Sequence, residues 1–341
     1  MKTRTILANL GLAGLAALAL STPPAAAQTG AAYALTDRIK IGDGGFDYAS
    51  FDPVHRRLYL SRVGGVLALD VDTKTVTEHL TDAQRTHESL PLDGGKMLLI
   101  TDSGTNTAHL VDALSGKPLA EIATGKKPDA AIFDPASGLA LAMNGASGDV
   151  TLIDPRTQKA VGAIAIGGAL EFAAADGAGK VFVNIEDQGQ VAVLDTRTQK
   201  LLGRYPLKGC ESPSGLAYAP GAGLLISACA NQVAKVLNAA TGEEIATLAI
   251  GKGPDAVIYD AARKLAFIPC GRDGVLEVIA VRGPKDVAIV QTVKTQPGAR
   301  TGAVDPKTGA VYLPTAAYTL AAAGRPTPTP GTFAILVVTP N

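Results

Sequence analysis

The chain of 341 residues carries 31 basic and 31 acidic side chains, so its formal net charge is zero. Nucleic acids and anionic membranes are bound through clustered Lys and Arg, and this balance disfavours both as obligatory partners. Trp is absent and aromatic residues make up 4% of the chain, which argues against stacking platforms for bases or sugars.

The first 27 residues are predicted to be a secretory signal peptide. Lys2 and Arg4 precede an apolar run over residues 6–20, and three alanines at 25–27 stand before Gln28 in the pattern of a cleavage site. The apolar run of about 15 residues is shorter than the roughly 20 that span a bilayer. We therefore expect a periplasmic or secreted monomer without a membrane span.

A stretch at residues 125–135, GKKPDAAIFDP, is written again at 251–261 as GKGPDAVIYDA. Laying the chain on this register gives segments with a period of about 43 residues, a length typical of propeller blades or solenoid repeats. The seven segments run over residues 41–80, 81–122, 123–164, 165–205, 206–248, 249–293 and 294–341.

Apart from the seventh, the segments contain four short apolar runs each, which are clearest in the third: AAIFD, LALAM, VTLID and KAVGAIAI. Turn signals separate these runs, so each segment is predicted to be a four-stranded antiparallel meander. Seven such units predict an all-β fold, a seven-bladed β-propeller formed by a single domain over residues 28–341.

The seventh segment supplies three strand-length runs and no fourth. Residues 33–41, YALTDRIKI, have the pattern of an outermost strand and belong to no other segment. We predict that this N-terminal strand completes the last blade, because that closes the ring and removes an exposed sheet edge.

An Asp recurs where the first strand of most segments ends. Its place before a short polar link predicts side-chain hydrogen bonds to the backbone amides just ahead, which is a structural role. The members of this turn row are Asp52, Asp93, Asp134, Asp176, Asp260 and Asp305.

The segment over residues 316–331, AAYTLAAAGRPTPTPG, interrupts the last blade between its second and third strands. Alternating Pro and Thr favour an extended polyproline conformation over a strand ladder. We predict a stiff flap over one face, which either binds a partner or is an insertion without a role.

In a propeller the first strand of each blade lines the central channel, and its entrance lies on the face that usually carries the site. Counting five residues back from the turn positions gives one residue in each segment, and most of these are acids. This channel row contains Asp47, Glu88, Asp129, Glu171, Ser214, Asp255 and Arg300.

Carboxylates around one opening repel each other, and burial raises their pKa values unless cations offset the charge. Arg300 and His87 can supply that offset, and Glu211 adds a further acid. Oxygen ligands with one imidazole favour a divalent Ca, Mg or Mn ion, for which Asp129, Glu171 and Asp255 are candidate ligands. The alternative is that these acids cap neighbouring amides. The second-strand ends add candidates on the same face: Asp102, Asn144, Asn184 and Glu186.

Cys210 and Cys229 fall in the fifth segment, on the same predicted face. Export permits a disulfide between them, and a pairing of Cys229 with Cys270 is the competing arrangement. A catalytic thiol at Cys270 is the weaker hypothesis, because the sequence assigns it no His or Asn partner.

With these repeats the chain resembles the YVTN-repeat, YncE-like family of bacterial secreted seven-bladed propellers. The resemblance is carried by FDYASFDPVHRRLYLS, KKPDAAIFDP, LEFAAADGAGKVFVNIEDQGQVAVLDTRT, CESPSGLAYAP, KGPDAVIYD and PGARTGAVDPKTGAVYLPTA. It implies an exported propeller with a binding face. The signature positions imply a shared central site at Asp47, His87, Asp129, Glu171, Glu211, Asp255 and Arg300. Glu88 and Cys270 depart from the family pattern.

Two functions stay open on the sequence. The first is a binding or scaffold protein that holds a cation, a small ligand or a partner protein at the acidic channel mouth. The alternative is a divalent-metal-assisted hydrolase or lyase, similar in plan to propeller lactonases, with Glu171 or His87 as the base. Nucleic acid is not expected as the ligand of an acidic channel.

Overall fold

The computed structural model describes Met1 and residues 32–319 and 327–341, so the predicted signal peptide lies outside the described residues apart from Met1. Within that part, regular structure consists of β-strands and two single-turn 3-10 helices, at Asp93–Gly95 and Glu186–Gln188. The prediction of an all-β chain is confirmed. Among the described residues no helix is long and apolar enough to cross a membrane.

Most strands form antiparallel meanders in chain order. The first strand is β1 (Tyr33–Lys40). A six-stranded sheet follows: β2 (Phe46–Asp52), β3 (Arg57–Asp70), β4 (Val76–Leu92), β5 (Met97–Asp102), β6 (Thr107–Asp112) and β7 (Pro118–Ala123). Two four-stranded sheets come next: β8 (Pro128–Asp134), β9 (Leu139–Asn144), β10 (Asp149–Asp154) and β11 (Lys159–Ala165); then β12 (Leu170–Ala175), β13 (Lys180–Ile185), β14 (Gln190–Asp195) and β15 (Lys200–Pro206).

Two more four-stranded meanders and a closing sheet complete the chain. The meanders are β16 (Pro213–Ala219), β17 (Leu224–Cys229), β18 (Val233–Asn238) and β19 (Glu244–Ala249); then β20 (Ile258–Asp260), β21 (Leu265–Cys270), β22 (Val275–Gly283) and β23 (Asp286–Lys294). The last strands are β24 (Ala303–Val304), β25 (Val311–Thr315), β26 (Tyr318–Thr319), β27 (Thr327–Pro328) and β28 (Ala334–Pro340).

The first two predicted segments share one sheet. Strand β3 pairs with β2 up to Arg62 and with β4 from Val63 onward, while β4 turns from pairing with β3 to pairing with β5 at Thr86. The chain stays extended through Gly65, where a Cβ would collide with the Thr81 carbonyl oxygen. The described residues therefore form six sheets of four or more strands. The propeller-like arrangement is confirmed, and the count of seven blades stays a prediction.

The N-terminal strand lies in the last sheet, whose order is β1-β28-β25-β24. The antiparallel ladder between β1 and β28 runs from Tyr33 opposite Pro340 to Lys40 opposite Ala334. Gln291 of β23 ties the preceding sheet to this strand, because its amide bonds both the N–H and the carbonyl of Tyr33 at 2.8 Å. The prediction that the N-terminal strand completes the last sheet is confirmed.

The hydrophobic core lies between neighbouring sheets. One cluster joins β8–β11 to β12–β15, and another joins β12–β15 to β16–β19, so the middle sheet is covered on both faces. Second and third strands are accordingly buried along almost their whole length, as in β9, LALAMN. The fourth strands are outermost and largely exposed, as in β11, KAVGAIA. This difference explains why the inner strands read as continuous apolar runs.

The turn row has its predicted structural role at five positions, where the carboxylate accepts a backbone amide just ahead: Asp52, Asp134, Asp176, Asp260 and Asp305. Asp134 is the most connected, because it also accepts hydrogen bonds from the hydroxyls of Ser137 at 2.7 Å and Thr196 at 2.6 Å. Asp93 differs. It begins a 3-10 turn at positive φ, one residue beyond the end of β4, and its carboxylate contacts Lys96.

We predict that Asp134→Ala lowers the free energy of unfolding by about 3 kcal/mol, because it removes the acceptor of half-buried turn amides and of the Ser137 hydroxyl, and a hydrogen bond from the buried Thr196 hydroxyl. Urea denaturation followed by circular dichroism measures the change. Asp195→Ala is the matched control: this carboxylate makes similar turn contacts, to Arg197 and Thr198, near the surface. Equal losses in the two variants would contradict the structural role assigned to the buried turn.

Candidate functional site

Five first strands share one irregularity near their entrances. Pairing with the next strand is interrupted for two residues in each of β2, β4, β8, β12 and β16. Such bulges re-aim side chains that would otherwise alternate across the sheet. The interrupted pairs are Asp47 and Tyr48, His87 and Glu88, Asp129 and Ala130, Glu171 and Phe172, and Ser214 and Gly215.

The register corrects the predicted channel row in the second segment. The first residue of the interrupted pair is the predicted row member in four strands, but in β4 it is His87, and Glu88 takes the second place. Counting back from Asp93 fails by one residue, because in β4 Leu92 takes the pairing position that Asp52 and Asp134 hold in β2 and β8. Glu88 thus occupies the position held by Ala130 and Gly215 elsewhere. It is buried, and its N–H donates to the Thr101 hydroxyl at 2.9 Å.

His87 lies between two of the predicted acids. Its Nδ1 is 2.7 Å from Oδ2 of Asp47 and 3.5 Å from Oδ1 of Asp129, and its Nε2 is 2.8 Å from the hydroxyl oxygen of Ser103. Burial by itself lowers the pKa of His87, but the hydrogen bond to Asp47 and the charges of both carboxylates outweigh it and raise the pKa above its ordinary value. Ser103, which the sequence analysis did not single out, thereby joins the site.

Two basic side chains offset part of the acidic charge. The Nε of Arg300 donates to Asp255 at 2.7 Å, and its guanidinium lies 3.7 Å from Asp47. The ammonium of Lys127, which precedes β8, lies 3.3 Å from Asp129. Arg300 was predicted as an offset and Lys127 was not, although it stands in the repeated GKKPD stretch.

Tyr48 is a second residue that sequence reasoning missed. It is 4% exposed, because its ring reaches from β2 to the sheet β12–β15 and packs 5.0 Å from the ring of Phe172. Its hydroxyl donates to Glu171 at 3.5 Å. Burial raises its pKa well above the ordinary value, and the charges of Asp255, Asp129, Glu171 and Asp47 add to this. An aromatic ring therefore lies among the acids.

The buried carboxyls hold their protons more tightly than usual. Burial raises the pKa of Glu171 to about 9, with further contributions from Asp129, Glu186 and Asp255. Burial also raises the pKa of Glu88 to about 8 and that of Asp255 to about 6, although Arg300 opposes the shift at Asp255. Asp129 is shifted upward for the same reason, with His87 and Lys127 opposing. The positive charges of His87, Lys127 and Arg300 therefore do not bring the pKa values of Asp129, Glu171 and Asp255 back to their ordinary range.

Two predicted positions lie apart from the cluster. Glu211 is exposed on the loop before β16, where its N–H bonds Asn231. Ser214 donates its hydroxyl to the Pro254 carbonyl oxygen at 3.2 Å.

The second-strand ends proved mainly structural. Asp102 accepts backbone amides of Gln84, Arg85 and Gly104, while Asn144 and Asn184 bond the neighbouring Thr151 and Ser214. The charge of Glu186 contributes to the raised pKa of Glu171.

One group in the described part of the chain could share a metal ion: Asp47, His87 and Asp129 offer ligand atoms within 4.8 Å of one another. It contains one of the three predicted metal residues, while Glu171 and Asp255 lie outside it. The 2.7 Å separation of His87 Nδ1 and Asp47 is a hydrogen-bond distance, so a metal there would have to displace the Nδ1 proton.

The loop entering β16 is tied to the end of β17 by a disulfide between Cys210 and Cys229, whose Cα atoms are 5.4 Å apart. Cys270, at the end of β21, is a free and buried thiol. Burial raises the pKa of Cys270 to about 12, so a reactive thiolate is disfavoured there.

The Pro-rich loop is described at its two ends, and residues 320–326 lie outside the described part. Contrary to the prediction that this segment makes no ladder, Tyr318 pairs with Pro328 and Thr319 with Thr327 in a short hairpin. Pro328 is tolerated because a ladder of two residues needs few donors. The Gly331 N–H donates to Asp43 at 2.7 Å, and Tyr318 contributes to the electrostatic environment of Arg300.

The fold and the site define a β-propeller protein with a charged, mostly buried cluster at the entrances of its first strands. No family model and no curated protein sequence matches the chain. It is similar to a chain of the Kuenenia stuttgartiensis hydrazine synthase, with a TM-score of 0.71 and 14% identity over 80% of this chain and 93% of that one. A chain in the crystal structure of the mitotic checkpoint complex gives a TM-score of 0.70 and 16% identity, over 89% and 96%. At these identities the likeness shows the fold alone.

We predict that Glu171→Gln stabilises the protein more at pH 9 than at pH 5. A carboxyl whose pKa is raised from its unfolded value to about 9 favours the folded state at low pH, and this contribution is lost as the pH rises toward 9. Glutamine keeps an acceptor for Tyr48 and removes the titration. Urea denaturation of both proteins at the two pH values measures the difference. Glu211→Gln, at an exposed site, is the control, and an equal response of both variants would contradict the buried environment of Glu171.

Proposed function

We propose that the protein is an exported binding protein of the YVTN-repeat, YncE-like family whose channel mouth takes a positively charged group. The observation that carries the proposal is the buried group of Asp129, Glu171 and Asp255, whose charges all act on Tyr48 and whose carboxyl pKa values burial raises although Lys127 and Arg300 contact two of them. A bound cation relieves that electrostatic cost, and its binding energy comes from the same source.

The charges of the cluster support this assignment. In the described part of the chain, the basic side chains in contact with Asp47, Asp129 and Asp255 are Arg300, Lys127 and, when protonated, His87. Glu171 and Glu88 have no basic partner within ion-pair distance in that part. The site therefore accepts further positive charge, which a divalent ion, an organic ammonium group or a Lys or Arg side chain of a partner protein can supply.

Export rests on the predicted signal peptide of residues 1–27, and the disulfide between Cys210 and Cys229 suits an oxidising compartment. The family assignment rests on the resemblance of the repeated segments. Both fit a periplasmic or secreted protein that binds its ligand outside the cytoplasm.

The test is calorimetric titration of chelator-treated protein with Ca, Mg and Mn ions and, separately, with n-butylammonium. We expect one of these probes to bind with release of protons at pH 7, because a nearby cation lowers the raised carboxyl pKa values and ionises the groups. Titration in two buffers of different ionisation enthalpy measures that release. Affinity is expected to rise between pH 6 and pH 9.

The double variant Asp129→Ala, Asp255→Ala is expected to bind the probe at least about tenfold more weakly, a loss of about 1.4 kcal/mol. Glu211→Gln is the matched control, since it removes an acid from the same face outside the cluster. Binding by an ion alone would assign the site to a metal, and binding by the amine alone to an organic cation. If neither probe binds, or if the double variant binds as the parent does, the proposal is wrong.

A further inference from the structure

We propose that Ser103, His87 and Asp47 form a hydrogen-bonded triad in which Ser103 is the nucleophile of an ester hydrolase. The Ser103 hydroxyl lies 2.8 Å from Nε2 of His87, and Nδ1 of the same ring lies 2.7 Å from Oδ2 of Asp47. A nucleophile within reach of a base, and a base oriented by a third group, is the geometry that activates a hydroxyl. This activity goes beyond cation binding and does not depend on it.

The backbone holds Ser103 in place. It directly follows Asp102, the last residue of β5, whose carboxylate accepts the N–H groups of Gln84, Arg85 and Gly104 at 2.7 to 2.9 Å. The Ser103 N–H donates to the Arg85 carbonyl oxygen at 3.0 Å. This short loop is thus clamped against β4, two residues before His87, so the hydroxyl reaches the imidazole without a long flexible connection.

The carboxylates select the tautomer of His87 that catalysis needs. Nδ1 faces Asp47 at 2.7 Å and Asp129 at 3.5 Å, so the proton of the neutral ring lies on Nδ1, and Nε2 accepts from Ser103. Asp47 is itself held from the other side by the Arg300 guanidinium, 3.7 Å away. Both carboxylates stabilise the imidazolium that forms when Nε2 takes up a proton. Asp47 is a positioning residue, because it acts through His87.

Ser103 is more exposed to solvent than His87, as the proposed chemistry requires. His87 is 6% exposed, whereas Ser103 is partly exposed on the loop between the second and third strands of its segment. A substrate can therefore approach the hydroxyl while the base stays shielded from water. The acids beside the triad favour an ester whose alcohol or acyl part carries a positive charge.

The reaction that this triad supports is hydrolysis of an ester through an acyl-serine intermediate. Oγ of Ser103 forms a bond to the ester carbonyl carbon while its proton passes to Nε2 of His87. The bond between that carbon and the leaving alkoxide then breaks, and the alkoxide takes the proton from Nε2. Water then forms a bond to the acyl carbon while one of its protons passes to Nε2 of His87. The bond between that carbon and Oγ of Ser103 breaks, Oγ takes the proton back from Nε2, and the acid is released. The step consumes one water for each ester and needs no metal, oxidant or further cofactor.

The experiment treats the mature protein with a fluorophosphonate probe, which forms a bond from Ser Oγ to phosphorus and expels fluoride. Intact-mass analysis measures the adduct, and peptide mapping locates it. We expect one adduct per chain, on Ser103, and loss of labelling in Ser103→Ala. His87→Gln is expected to slow labelling at least about 100-fold, the usual contribution of a general base. Ser147→Ala is the matched control: this exposed serine, in the corresponding loop of the next segment, bonds the Lys126 N–H.

Two further measurements separate catalysis from structure. The labelling rate should rise with pH as His87 loses its charge, and Asp47→Asn should move that rise to lower pH, because the pKa of His87 falls when its carboxylate partner is removed. Asp129, Glu88, Arg85, Arg300 and Lys127 are the other charged groups near this ring or its partners, and they are unchanged in that variant. Hydrolysis of p-nitrophenyl acetate should follow the same profile and be insensitive to chelator.

Because His87 is buried, its replacement can disturb the fold, so a second variant keeps the ring. Ser103→Cys should react with iodoacetamide at pH 6 at least about tenfold faster than Ser147→Cys, since a neighbouring imidazolium stabilises the thiolate. Cys210 and Cys229 are paired and Cys270 is buried, so background alkylation is low. Equal alkylation of the two variants, labelling at another serine, or labelling that His87→Gln leaves unchanged in a folded protein would overturn the triad.

The labelling experiment and the calorimetric titration test the two proposals separately. Labelling without cation binding would leave the triad standing and remove the proposed cation site, and the reverse result would do the opposite. If a divalent ion binds and also abolishes labelling, His87 Nδ1 holds the ion in place of its proton, and the triad is not the working form of the site.

Discussion

The interruption of the hydrogen-bond ladder in the first strands is the constraint on which the site depends. In a regular strand neighbouring side chains alternate across the sheet, so Asp47 and Tyr48 would face opposite neighbours. With the ladder interrupted, the carboxylate of Asp47 reaches His87 while Tyr48 reaches Phe172. The same irregularity, placed at the same register in five strands, turns side chains far apart in the chain toward one region.

Bringing these acids together destabilises the folded protein, and the rest of the fold has to compensate for this. Buried carboxyls with raised pKa values, such as Glu88 and Glu171, favour the folded state less as the pH rises. The rest of the structure supplies the compensating stability through sheets covered on both faces, a last sheet completed by β1, buried turn carboxylates and a disulfide. Strain concentrated at one place and supported elsewhere is the usual arrangement of a functional site.

His87 connects the two proposed roles of this region. On one side its Nδ1 faces the acids that attract a cation, and on the other its Nε2 faces a serine that it can activate. A positively charged substrate would satisfy both features at once, because the acids would hold its charged group while its ester carbonyl approached Ser103. Arg300 and Lys127 limit the negative charge of the proposed cation site and so reduce the repulsion between its acids.

The fold class, the closure of the last sheet by residues 33–41 and the structural role of most of the turn row could all be predicted from the sequence. These features depend on local signals: strand-length apolar runs, Asp before tight turns, and a period that places equivalent residues in equivalent strands. The sequence also predicted most members of the channel row, including Asp47, Asp129 and Arg300, because a repeat fixes position without reference to the neighbours.

Which side chains meet could not be predicted in this way, because it depends on how the strands pack. It placed His87 in the channel row instead of Glu88, since β4 ends one residue earlier than the repeat suggests, and it merged the first two segments in one sheet. It also brought in Ser103, Tyr48 and Lys127, and left Glu211 in solvent. Contacts between strands of different sheets depend on bulges, crossing side chains and burial, and these are properties of the packed chain that no local pattern of residues records.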